Sequence, residues 1–238
     1  MNIEPVPSTK QRPVVPTLQR PRLLALIFLC VAAHALPANA ALVTTHEAGL
    51  DLIFSQASFG NQPIDIRFGT IVEIVNSAVI TIDSAGDFVT LFSLAPNPGT
   101  HVNMFFVDEI NWCGTFLPNI AGCATTPGDI VALNSEIASG SFGAELLAHE
   151  MAHNFGLDHT DGAGLMGPFL NNDTTLSLEE VNTIRLSPLV KLDLSGSYVD
   201  VTPILIRAAA VPEPSTVIVY AVVGAIAVRL RRRSELRR

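Results

Sequence analysis

His149-Glu150-Met151-Ala152-His153-Asn154-Phe155-Gly156-Leu157-Asp158-His159 reads H-E-x-x-H-x-x-G-x-x-H. Residues four apart on a helix share a face, so His149 and His153 point the same way and can grip one metal ion. Glu150 lies about 100° round the same helix, where it can reach water at the metal without being a ligand. Gly156 is expected to break the helix in a backbone shape that a Cβ would penalise. The chain then turns back and His159 supplies a third imidazole. Three protein ligands with one open position is the pattern of a catalytic zinc site, whereas structural zinc sites close with four.

The elements around this stretch follow from periodicity. A helix from about Phe142 to Asn154 carries it, with Leu146, Leu147 and Met151 on its apolar side and Ser139 or Ser141 as candidate caps. Upstream, Glu47–Ala57 has helical spacing, and Ile64–Phe68 alternates like a strand. Ile71–Val75, Ala78–Ile82, Phe88–Leu94, His101–Val107 and Asp129–Leu133 are further strand candidates, and residues 111–128 read as a loop. Downstream, Ser177 and Glu180 form a capping box for a helix to Ile184. Residues 190–210 read as one or two strands followed by a linker over 201–210.

Composition sets the compartment. The 238-residue chain carries a net charge of −8. The interval 41–214 holds 20 acidic side chains against four basic ones, a net −16. Such a surface repels phosphate backbones and argues against nucleic-acid binding. It leaves room for Ca2+, although no compact Asp/Asn/Gly loop is visible. Cys113 and Cys123 lie close together in a Gly/Pro-rich loop. A disulfide is expected in an oxidising compartment, with metal ligation by the pair as the alternative.

Both ends read as address labels. Residues 1–22 are basic, an apolar run from Leu23 to Leu36 follows, and Ala38-Asn39-Ala40 is a small-x-small site. This is the layout of a signal peptide over 1–40; an N-terminal anchor is the alternative. At the other end Pro212-Glu213-Pro214 precedes a short apolar run, and the last ten residues contain six arginines. The arginines are expected to stay cytoplasmic, so the body would face outward.

Two resemblances follow from these residues. Residues 211–238 resemble the PEP-CTERM sorting signal of bacterial exported proteins, with a plain tail anchor as the alternative. The resemblance implies an exosortase-like processing enzyme, the secretion machinery, transient membrane anchoring, and a final place on the surface or in the matrix of a Gram-negative bacterium. The segment 145–168 resembles the metzincin metallopeptidases, in wording closest to the reprolysin/adamalysin branch. That resemblance implies an α/β fold, with a twisted, mostly parallel sheet, an antiparallel edge strand and a zinc-binding helix beneath, over residues 41–200. It implies Zn2+ on His149, His153 and His159, Glu150 as general base on water at the metal, and Met166 as the packing floor of a Met turn. Pro168 would line a specificity pocket, and a protein or peptide substrate would lie along an edge strand at Ile130–Leu133. Thr160 stands where the branch often has aspartate. Only 41–45 remain for the family's first strand, which points to a short or rearranged sheet.

The expected activity is that of an exported zinc metalloendopeptidase. An adhesive surface or matrix protein with an inactive or structural zinc site is the alternative, and a zinc hydrolase of non-peptide substrates is a third reading. Retention of Glu150 speaks for catalysis, because a purely structural site has no use for a base there.

Overall fold

Val102–Val107 (β4) is buried at every position and apolar at all but Asn103, so it belongs in a sheet with both sides covered. Its side chains divide accordingly: Met104 and Phe106 enter one core, and Phe105 and Val107 the other. The computed structural model describes residues 43–209. The signal peptide expected over 1–40 and the sorting signal expected over 211–238 lie outside them. Among the described residues no helix is long and apolar enough to cross a membrane.

The described residues open with a helix at Glu47–Ile53 (α1), followed by strands at Ile64–Phe68 (β1), Val72–Val75 (β2) and Thr81–Ile82 (β3), and a helix at Ala85–Leu94 (α2). After β4 come Glu109–Ile110 (β5), the hairpin Trp112–Cys113 (β6) and Thr115–Phe116 (β7), Gly122–Ala124 (β8) and Ile130–Asn134 (β9). A short helix at Ser135–Ala138 (α3) leads into Gly143–Asn154 (α4), which carries the histidine motif. Leu178–Leu186 (α5), Lys191–Asp193 (β10) and Gly196–Arg207 (β11) follow.

The main sheet runs β1-β11-β4-β9-β8, with β2 and β10 also paired to β11. β11 is parallel to β1, β2 and β4, β4 is parallel to β9, and only β8 and β10 run antiparallel to their partners. One face is covered by α1, α4 and α5, whose Leu50, Leu147, Met151, Val181 and Ile184 join Ile66, Met104, Val131 and Val201 in one core. The other is covered by α2, whose Phe88 and Leu91 pack with Phe105, Ile130, Ile204 and Ile206.

Several expectations need correction. The linker expected over 201–210 is largely strand: β11 runs to Arg207, and Val201–Ile206 are all buried. The domain therefore extends past residue 200. Val43–His46 form no strand, and the centre of the sheet is filled from the far end of the chain. The edge strand is β8, not Ile130–Leu133: β9 is interior and parallel to β4. The short run Gly122–Ala124 was hidden inside what reads as a loop. Phe88–Leu94 is helical, because Ser84 accepts from Asp87 N as an N-cap and Phe88 and Leu91 form a helical stripe. In Ala78–Ile82 only Thr81–Ile82 is strand, after a single 3-10 turn at Ser77–Val79. Neither Ser139 nor Ser141 caps α4; Phe142 holds the N-cap position with no side-chain bond.

Candidate metal and catalytic site

α4 lies against the sheet edge, so its motif face is buried between β8 and the chain that returns after the helix. The helix stops in a Schellman arrangement. Gly156 has φ 102°, its N donates to His153 O, and Leu157 N donates to Ala152 O. A side chain at Gly156 would strain that turn. The turn also delivers the Leu157 carbonyl to His153, whose Nδ1 donates to it at 2.7 Å.

The loop after His159 performs the same service for the first histidine. His149 Nδ1 donates to Leu165 O at 2.6 Å, one residue before Met166. Met166 is fully buried in the core under α4, and its carbonyl accepts from Thr160 N at 2.9 Å. With both Nδ1 atoms donating, the Nε2 atoms of His149 and His153 present lone pairs. These two atoms stand 3.0 and 3.2 Å from His159 Nε2. His159 Nε2 carries at most one proton to share between them, so the cluster lacks donors and fits a cation. The spacing approaches the value of about 3.4 Å between nitrogens of a tetrahedral zinc centre. Among the described residues this is the one group of three His, Cys, Asp or Glu side chains that converges on a metal-sized space, so the Ca2+ expectation gains no cluster.

Burial shapes the protonation of the site. It pushes His149 below its ordinary value and His153 down to about 4, partly opposed by the two carbonyl bonds. Both rings are thereby kept neutral, the form that ligates metal. Burial likewise pushes Glu150 up to about 8. Its carboxylate lies against β8: a Cβ built on Gly122 would stand 2.5 Å from Glu150 Oε1.

Asn154 ties the end of the helix to the β8–β9 turn, with Nδ2 donating to Thr125 O at 2.9 Å and Ile130 O at 3.1 Å. Its role is thus anchoring the helix. Asp158 and Asp161 are exposed, and neither bonds the ring of His159. Pro168 is exposed on the strand-less segment after Met166. Cys113 and Cys123 form a disulfide that joins β6 to the edge strand, next to Gly122.

Sequence reading missed three contributors. Gly122 carried no motif. Leu165 acts through its backbone, which leaves no trace in side-chain type. Glu145 is buried on α4, yet an acid in a first helical turn is ordinarily read as dipole compensation.

A twisted mixed sheet over a helix that brings three imidazoles together is consistent with a metzincin-like zincin domain. Residues 75–160 match metallo-peptidase family M12B, reprolysin-like, a span that contains all three histidines and Glu150. Over that span, 86 of the 238 residues, the chain is similar to this metallopeptidase family. No curated protein and no solved structure matches the chain.

Proposed function

We propose that the protein is an exported zinc-dependent endopeptidase. The observation that carries this reading is the donor-poor convergence of three Nε2 atoms beside a buried carboxylate. His149, His153 and His159 would hold the metal. Zinc in that position supplies a Lewis acid that polarises a carbonyl and acidifies water.

The chain's own residues do the rest. Glu150 accepts the proton of the attacking water and returns it to the departing amine nitrogen. A carboxylate pushed up toward neutrality by burial is suited to carry a proton both ways. The Leu165 and Leu157 carbonyls hold the two helix imidazoles in one tautomer. β8 ends the sheet, so its outer edge offers main-chain groups to an extended peptide beside Glu150. Pro168 and the residues after it would form the wall of a side-chain pocket. Export through a 1–40 leader and processing at 211–238 by an exosortase-like enzyme belong to the same reading.

The test is peptide-library cleavage by purified residues 41–210, with metal content measured on the same sample. One zinc per chain and chelator-sensitive cleavage are expected. Glu150→Gln should keep the zinc and lose roughly 10²–10⁴-fold in rate, the usual contribution of a general base. Wild-type cleavage by that variant would remove Glu150 from the mechanism. Zinc uptake without cleavage would reject the peptidase reading for this chain.

A further inference from the structure

Glu145 is the second buried carboxylate of α4, and the histidine motif makes no use of it. It is 4 % exposed and lies one helical turn before His149, on the same face. No cation neutralises it: among the described residues, Arg67, Lys191 and Arg207 pair with Asp65 and Asp193, Asp200, and Glu73. Arg185 donates to the carbonyls of Phe59 and Gln62. Instead, Glu145 Oε1 accepts from Asn171 N at 2.9 Å and Oε2 from Asn172 N at 2.8 Å.

A carboxylate is costly to bury unless charge-assisted bonds replace its hydration, and these two do so. An amide would not serve, because its NH2 would face one of the two N–H groups. The site therefore selects a carboxylate in particular.

The loop that Glu145 holds is the return of the Met166 turn. Asn171 Oδ1 accepts from Asp173 N at 2.8 Å, and Asp173 Oδ2 accepts from Gly164 N at 3.0 Å. The next residue, Leu165, is pinned by its N donating to Thr175 O at 2.9 Å. Its carbonyl receives His149 Nδ1 at 2.6 Å. A run of bonds thus leaves α4 at Glu145, passes through residues 171–173 and 164–165, and re-enters α4 at His149.

We propose that Glu145 is a positioning residue for the metal centre. It braces the Met-turn loop so that the Leu165 carbonyl fixes the ring of His149, with Asp173 as the intermediate strut. Glu145 touches neither metal nor substrate. The inference rests on the reading of the three histidines as a metal site.

The experiment uses the purified full-length protein in detergent, stripped of metal. Zinc affinity is measured by competition with a chromophoric chelator, and the ligand field by the visible spectrum of the Co2+-substituted protein. The variants are Glu145→Gln, Asp173→Asn, their double variant, and Ile184→Val as a core-destabilised control. Glu145→Gln should weaken zinc binding about tenfold, the low end of what partners behind a metal ligand cost, and shift the Co2+ bands. Asp173→Asn should move both readings in the same direction, and the double variant should fall short of the sum, as expected of links in one chain. Ile184→Val should lower the melting temperature and leave both readings unchanged. Wild-type affinity and spectrum in Glu145→Gln, whatever its melting temperature, overturn the proposal. If that variant does not fold, unchanged affinity and spectrum in Asp173→Asn overturn it instead. Wild-type protein that takes up neither metal overturns the metal reading itself and the brace with it, a failure separate from variants that bind like wild type.

Discussion

Glu150 owes its place to a missing side chain on the strand facing it. With a Cβ at Gly122 only 2.5 Å from Oε1 and 2.7 Å from Cδ and Cγ, one of the two residues would have to move. The carboxylate is the flexible partner, so Gly122→Ala should displace Glu150, the proposed base, rather than unfold the strand. The expected result is a large loss in kcat with one zinc per chain retained; an unchanged kcat would show that Glu150 has room to spare. Burial also gives a pH signature in the metal-free protein. Glu150 rises from 4.5 to about 8 on folding, so its contribution to stability is present below pH 4.5 and is lost as pH climbs through 8. His153 falls from 6.5 to about 4, so its contribution is present above pH 6.5 and is lost as pH drops toward 4. Glu150→Gln removes only the first of these. Its melting temperature relative to wild type, measured by calorimetry in chelator, should therefore increase from pH 4.5 to pH 8. A gap that does not change with pH would mean that the carboxylate is better solvated than its burial implies.

Elements built on local signals were legible in the sequence, and those built on distant partners were not. The motif helix, its glycine stop and the Ser177–Glu180 capping box of α5 all lie within a few residues of the atoms they bond, so spacing alone revealed them. The site histidines were legible for the same reason. Helix α2 was misread because Phe88, Val89, Thr90 and Phe92 favour strands, while the cap at Ser84 that overrides them is a single hydroxyl. Strand β8 is three residues long, and its identity comes from pairing with β9 and from the Cys113–Cys123 bond, neither visible as periodicity. That bond matters to the edge. It ties the β6–β7 hairpin to the residue beside Gly122 and closes a short loop, a constraint worth about 2–3 kcal/mol against the unfolded chain. Reduction should lower the melting temperature while the zinc count stays at one per chain. Zinc released in step with thiol exposure would point to thiolate ligation instead.

At the scale of the whole molecule the sheet depends on its last strand. β11 is 12 residues long and is flanked on one side by β1 and β2 and on the other by β10 and β4, so four strands lose a partner without it. Its Val199, Val201 and Leu205 belong to the core shared with α4, and Ile204 and Ile206 to the core shared with α2. Even Pro203, unusual in a central strand, lies where 202–203 pair with neither β1 nor β2, so its missing N–H falls at a break in the ladder on that side. Parallel strands so far apart in sequence close slowly, and here the closing piece is synthesised after the histidine motif. The metal site is therefore not finished when its own residues have been made. A chain ending at Asp200 keeps every histidine and the whole loop around Met166, yet should show no cooperative melt and no stoichiometric zinc binding. A chain ending at Ala209 should show both, because a cut between the strand and the basic tail leaves intact every sheet pairing among the described residues. Circular dichroism melts and zinc titration on the two truncations decide the matter: a cooperative transition in the shorter chain would mean that β1 and β4 can build the sheet without β11. The longer chain failing to fold would mean that residues beyond 209 contribute to the domain.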